Sequence, residues 1–321
     1  MTSIVADIGG TNARFAIASP AGDGYRLEAL KVVDCQRFAD FDAALHHWLD
    51  GLDQPAPWRA CIAAAGPVER TAAGGRVYMT NLGWSICAEA LRAEFQFEQV
   101  ELINDFAALA QSLPLLSVGD YAVLRDVPRV EGAAMAVLGP GTGLGVAGLA
   151  AENGRWHVMA GEGGHANLGV GSERELQLLQ FMMRERCPVF NEWVLSGSGL
   201  VNLYRAVCAL HGRPAEDYTP PDVGRHGLDG SDPLCRETLI DFLNFLGSAA
   251  GDTALYLGAR GGVFIGGGIL PRIAELLPES AFEQRFLAKG KVENWMETVP
   301  LYALKAGYQA LLGAAAHLGD C

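Results

Sequence analysis

The sequence predicts an α/β protein of two domains, each with a mixed sheet flanked by helices. Three observations lead there. Short apolar strands open the chain and then alternate with segments of helical period. The same order restarts near Met135. A length of 321 residues is also more than one compact core usually holds.

Ser3–Ala6 and Arg14–Ala18 read as strands around a glycine turn, with a third strand at Leu27–Val33. Phe38, Phe41, Leu45, Trp48 and Leu49 share one helical face, which predicts a helix over Phe38–Leu49. A buried strand, Ala60–Ala65, ends at Gly66-Pro67. Helix Ile86–Phe95, strand Val100–Ile103 and helix Phe106–Leu113 follow. After the restart come a hairpin at Ala136–Leu149, a strand at His157–Ala160, and helices at Arg174–Arg184 and Gly199–Leu210. His211–Ser231, rich in proline, glycine and charge, reads as an exposed excursion. A long helix over Cys235–Leu257, strand Gly262–Ile265, a helix opening near Pro271, strand Leu301–Leu304 and a terminal helix Gly307–Leu318 complete the chain.

Composition narrows the chemistry. Half the residues are hydrophobic and 19% are charged, enough for buried cores. The net charge of −13 argues against nucleic acid or anionic membranes as partners. Gly132–Ala151 carries no charge, but its glycines and Pro140 punctuate it into a strand, turn and strand instead of a membrane span. Seven scattered cysteines, Cys321 among them, form no C-x-x-C pair. Without a signal peptide, reduced thiols in a cytoplasmic protein are expected, and no zinc cluster.

The segment Ala6-Asp7-Ile8-Gly9-Gly10-Thr11-Asn12 ends one strand and turns into the next. Bare amides at Gly9 and Gly10, with donors on Thr11 and Asn12, suit an anion, and Asp7 suits a magnesium ion. An ordinary hairpin turn explains a lone Gly-Gly equally well. The pattern returns at Gly141-Thr142-Gly143, which points to a duplicated cradle for nucleotide phosphate. Only four lysines are present and no Gly-Lys-Ser/Thr occurs, so a P-loop is excluded, and amides and a cation must supply the positive field.

At Asn104-Asp105 a strand gives way to a helix, the place where open α/β sheets meet ligands. Asp105 suits deprotonation of an attacking hydroxyl and Asn104 a hydrogen bond to the same substrate. Both residues also cap helices well. Glu162 and His165, flanked by glycines, suit neighbouring hydroxyls of a polyol. Glu192 is ambiguous on its own residues. Gly266-Gly267-Gly268 admits a flat ring against bare backbone, or tight strand–helix packing.

Taken together, these segments resemble the bacterial glucokinases of the proteobacterial type, in the hexokinase and actin-like ATPase superfamily. The resemblance rests on Ala6–Arg14, Ile103–Phe106, Gly141–Val146, Gly161–His165, Val194–Arg205 and Gly261–Ile269, in family order across almost the whole chain. It implies two ribonuclease-H-like domains with a cleft between them, 1–110 plus 303–321 and 111–302. It further implies a homodimer that uses ATP and Mg2+ to phosphorylate glucose. Asp105 would be the base, and Asn104, Glu162, His165 and Glu192 would hold the sugar. Ala6–Thr11 and Gly141–Gly143 would cradle the phosphates, with Gly267 and Gly268 near the adenosine. Ala6, Trp193 and Ser198 depart from the residues usual in that family, and the zinc motif of the related ROK group is absent. A kinase for another hexose and a non-catalytic sugar sensor are the alternative readings, with a chaperone-like or filament-forming ATPase as a third.

Overall fold

Strand β1 (Ser3–Ile8) runs antiparallel to β2 (Asn12–Ala21), and β2 to β3 (Gly24–Asp34). In this computed structural model, which describes residues 1–52, 57–71 and 74–320, helix α1 (Phe41–Leu49) and strand β4 (Arg59–Ala64) come next. Cys321 lies outside the described residues. Three short strands follow, β5 (Val68–Glu69), β6 (Arg76–Met79) and β7 (Trp84–Cys87). Then come α2 (Ala88–Phe95), β8 (Gln99–Asn104), α3 (Asp105–Ser112) and β9 (Tyr121–Arg125). The second half opens with β10 (Met135–Pro140), β11 (Leu144–Glu152) and β12 (Arg155–Gly161). It continues through helices α4 (Glu173–Met182), α5 (Asn191–Val194), α6 (Gly197–Leu210), α7 (Pro220–Asp229) and α8 (Pro233–Leu257). Strand β13 (Gly262–Ile265), helices α9 (Leu270–Ile273), α10 (Phe282–Leu287) and α11 (Glu293–Met296), strand β14 (Leu301–Leu304) and helix α12 (Gln309–Asp320) close the chain.

The two large sheets share a plan. One has the order β3-β2-β1-β4-β8, the other β12-β11-β10-β13-β14-β9. In each, an antiparallel hairpin leads into parallel neighbours: β1 beside β4 and β4 beside β8, β10 beside β13 and β13 beside β14. The chain divides into two compact units, Met1–Gly119 with Ala151–Ala160 and Gly307–Cys321, and Asp120–Ala150 with Gly161–Ala306.

In the first unit both faces of the sheet are covered. Ile4, Ala6 and Ile8 alternate onto the face packed by Phe41, Leu45 and Trp48 of α1. Val5, Ala16, Cys61 and Ala63 turn to the other face, against Ala108 of α3 and Leu311, Ala314 and Ala315 of α12. Small residues let α3 and α12 approach closely. A Cβ at Gly313 would lie 1.7 Å from the Ala108 carbonyl oxygen. The second unit is organised around α8, whose Leu239, Phe242, Leu243 and Leu246 are fully buried.

Four of the departures from expectation have a direct physical reason. Helix α1 starts at Phe41, because the Asp40 carboxylate caps it by accepting from the Ala43 amide at 2.8 Å, while Phe38 is extended. Ile86 is a strand residue paired with Val77 in the three-stranded sheet β5-β6-β7, so α2 begins only at Ala88. The hairpin turns are not the same length. Four residues, Gly9–Asn12, separate the last paired positions Ile8 and Ala13, whereas three, Gly141–Gly143, separate Pro140 and Leu144. Lastly, the stretch read as an excursion contains α7. Its Thr219–Asp222 capping box, prolines in the first turn and left-handed Gly230 at the end are helix signals that the local proline and glycine content obscured. Among the described residues no helix is long and apolar enough to cross a membrane.

Candidate active site

Within the first unit, the turn after β1 is closed by the Gly9 amide donating to the Asn12 carbonyl at 3.0 Å, and the Cys35 amide donates to the Thr11 carbonyl at 2.9 Å. Gly9, Gly10, Thr11 and Asn12 all reach solvent, and with the Gly9 amide committed to closing the turn, it is the Gly10–Asn12 side that a ligand can meet. Ala6 and Ile8 are fully buried core residues that can offer only backbone. Asp7, between them, accepts from Arg14 across the hairpin at 2.7 Å, and its side chain is 13% exposed. Burial pushes its carboxyl above the usual 3.8, against the pull of Arg14. Among the described residues no cluster of three or more His, Cys, Asp or Glu could hold a metal. That donor set still fits magnesium in the form nucleotides carry it, held by phosphates and water with one or two carboxylates.

Asn104 is the residue where β8 becomes α3. Its Oδ1 accepts from the amides of Phe106 (2.9 Å) and Ala107 (3.2 Å), and its Nδ2 donates to the Gly66 carbonyl at 3.2 Å. The capping role anticipated for this position is therefore filled by Asn104. Asp105 follows as the first helical residue, with Oδ1 accepting from the Phe106 amide at 2.9 Å. Both side chains remain partly exposed.

The second unit brings together the segment around Glu162, the turn Gly141–Gly143, and Glu192 on the four-residue helix α5. Glu162 and His165 are exposed, and Gly164 between them is buried. A Cβ on Gly164 would sit 2.1 Å from the Leu144 carbonyl oxygen, so the loop needs bare backbone to lie against β11. The His165 ring packs on Phe190, with centroids 5.0 Å apart. Glu192 does not face away as a solvated charge: its Oε2 accepts from the Leu144 amide at 2.8 Å. The turn itself is closed by the Gly141 amide donating to the Gly143 carbonyl at 2.8 Å, and the Gly141 carbonyl accepts from the Gly197 amide at the start of α6, also at 2.8 Å.

Beside this turn lies a cavity of about 420 Å³. Gly141 and Thr142 line one end, Gly197 and Leu200 of α6 another, and Gly268, Ile269 and Arg272 the side after β13. The remaining wall is α7, through Pro220, Pro221, Gly224, Arg225 and Leu228. The two explanations of the glycine triplet divide between residues. Gly267 has φ +82° and lies so close to the Pro140 carbonyl that a Cβ would be 2.2 Å from the oxygen, a packing requirement. Gly268 has open space and faces the cavity. Sequence reasoning missed the α7 residues and Arg272. The capping box at Thr219 was the available signal for the former, and nothing local marks the latter.

Two sheets of one plan, each with a glycine turn at the end of its opening strand, are the architecture of actin-like ATPases and the sugar kinases that share their fold. A family model described as Glucokinase matches residues 4–320. The glucokinase of Saccharophagus degradans is 40% identical over 316 residues, 98% of this chain and 97% of that relative. The glucokinase of Chromobacterium violaceum is 41% identical over 318 residues, 99% and 89% of the respective chains. A crystal structure of glucokinase from an Antarctic psychrotroph is similar at TM-score 0.91 and 37% identity, covering 100% of this chain and 99% of that one. The chain belongs to the glucokinase family.

Proposed function

We propose that the protein transfers the γ-phosphoryl group of ATP to the 6-hydroxyl of glucose, with Asp105 as general base. The observation that carries the assignment of the base is the position of Asp105: a partly exposed carboxylate on the first residue of α3, at the carboxyl end of a central strand, in a chain of the glucokinase family. Asn104, Glu162, His165 and Glu192 hold the sugar hydroxyls. The turns Gly9–Asn12 and Gly141–Gly143 present amides to the phosphates, and the adenosine occupies the cavity between α7 and Gly268. In this reading the chain divides functionally into 1–110 plus 303–321 and 111–302.

Phosphoryl transfer asks the protein mainly to position the partners and balance charge. The 6-oxygen attacks the γ-phosphorus as the bond to the bridging oxygen of ADP breaks, and the hydroxyl proton passes to Asp105. A magnesium ion, for which Asp7 is the carboxylate, would neutralise charge on the phosphates. The acidic chain, with net charge −13, relies on local amides and the arginines of the cavity to attract ATP. We further propose a cytoplasmic homodimer, which size-exclusion chromatography with light scattering tests for assembly.

The test of the activity is ADP release with a panel of sugars and a no-sugar control. Glucose-dependent release is the expected result. Release independent of sugar would identify an ATPase, and none at all a sensor.

A further inference from the structure

The second unit ties its sugar-facing segment to its phosphate turn through a single residue, Leu144. The N–H of Leu144 is held by Glu192 Oε2 at 2.8 Å, and its carbonyl is pressed by the backbone of Gly164. At Gly143, just before it, a Cβ would fall 2.4 Å from the same Oε2 and would push the carboxylate away from the amide. Glu192 is in turn anchored to the Glu162–His165 loop. The amide of its neighbour Asn191 donates to the Ala166 carbonyl at 2.9 Å, and Phe190 carries the His165 ring. The path from His165 through Phe190 and Glu192 to the Gly141–Gly143 turn is continuous packing and hydrogen bonding.

We propose that Glu192 is a positioning residue that couples the two substrates: sugar engaged at this carboxylate fixes the Leu144 amide, and the phosphate turn is then set for nucleotide. The inference deepens the assignment of Glu192 to the sugar and rests on that reading. The physical reason is that a carboxylate has two oxygens. Oε2 is committed to the turn, so a hydroxyl that orders the carboxylate also orders the turn, and nucleotide no longer meets that entropic cost. By reciprocity, nucleotide must tighten sugar by the same factor.

The experiment is isothermal titration of a non-hydrolysable ATP analogue, with and without saturating glucose, in the wild type, Glu192→Gln and Glu192→Ala. Glucose is expected to tighten the analogue about fivefold or more in the wild type, the lower end of ordinary coupling. Glu192→Gln should keep most of that ratio, since its amide oxygen still accepts from Leu144. Glu192→Ala should bring the ratio to about one. A purely structural defect would weaken both titrations together and leave the ratio intact. Gly143→Ala reaches the same bond without removing the carboxylate, and it too should bring the ratio toward one if Glu192→Ala does not fold. A wild-type ratio in Glu192→Ala would overturn the proposal, as would loss of coupling in a Glu192→Gln protein that still binds both ligands. If the wild type binds both ligands independently, the coupling fails and the kinase reading stands. If it binds neither, the kinase reading fails.

Discussion

Asn104 caps α3 and is proposed to bind the sugar, and one pair of substitutions separates the two. As the cap of α3 it accepts from the amides of Phe106 and Ala107, and it donates to the Gly66 carbonyl. As a sugar ligand it would supply an amide to a hydroxyl. Asn104→Ala removes both the cap and the Gly66 bond. Cap loss costs about 1 kcal/mol, with the Phe106 amide keeping Asp105 Oδ1 as an acceptor, and the lost bond to Gly66 costs about 1 kcal/mol more. Asn104→Ser keeps a capping oxygen and loses only the amide, so it costs about 1 kcal/mol. At roughly 2–4 °C per kcal/mol for a domain of this size, Asn104→Ala should lower the melting temperature of the first unit by about 4–8 °C, and Asn104→Ser by about half that. Scanning calorimetry reads both. If the amide also serves the sugar, Asn104→Ser should raise KM for glucose about tenfold while KM for ATP stays put, the equivalent of one hydrogen bond. Equal melting temperatures for the two variants would refute the capping argument. An unchanged glucose KM in Asn104→Ser would leave Asn104 a cap and nothing more.

Asp105→Ala is expected to lower kcat by about 10²–10⁴-fold with an unchanged circular dichroism spectrum, because Asn104 keeps the helix capped; single-turnover kinetics tests it. Gly313→Ala should lower the melting temperature by several degrees, since its methyl would overlap the Ala108 carbonyl at 1.7 Å and force α3 and α12 apart, an overpacking cost of about 1–3 kcal/mol. Gly24→Ala, which meets open space, should stay within about 2 °C of wild type in the same scan. Burial keeps Asp7 protonated to higher pH in the folded protein than in the unfolded chain. Its stabilising contribution is therefore complete below the usual 3.8 and is lost as pH rises through the raised value. Melting temperatures from pH 3 to 7 should show Asp7→Asn gaining on wild type as pH rises above 3.8; a pH-independent difference would remove burial as the dominant effect at this site.

Strands and their order were readable wherever burial on both faces leaves an uninterrupted apolar run, as at Ile4–Ala6 or Gly262–Ile265. The repeated hairpin was readable as well, because glycine is needed where a turn must bare its amides. Helix starts were harder. Whether Phe38 or Phe41 opens α1 depends on which carboxylate reaches an amide, and Ile86 has the helical spacing of α2 yet pairs with Val77.

The chain by itself determined the α/β class, the duplicated glycine turns and the candidates Asp105, Glu162 and His165, since these follow from periodicity and from residue types placed at the ends of strands. The contact of Glu192 with the Leu144 amide, the reason Gly143 and Gly164 are bare, and the use of α7 as a cavity wall were decided only in three dimensions. Each depends on groups far apart in sequence, Glu192 lying forty-eight positions from Leu144, brought within a few ångströms by packing. Local spacing carries no record of such a meeting. Tertiary packing gave Glu192, the residue least defined by its neighbours in sequence, a specific partner in the Leu144 amide that follows the Gly141–Gly143 turn.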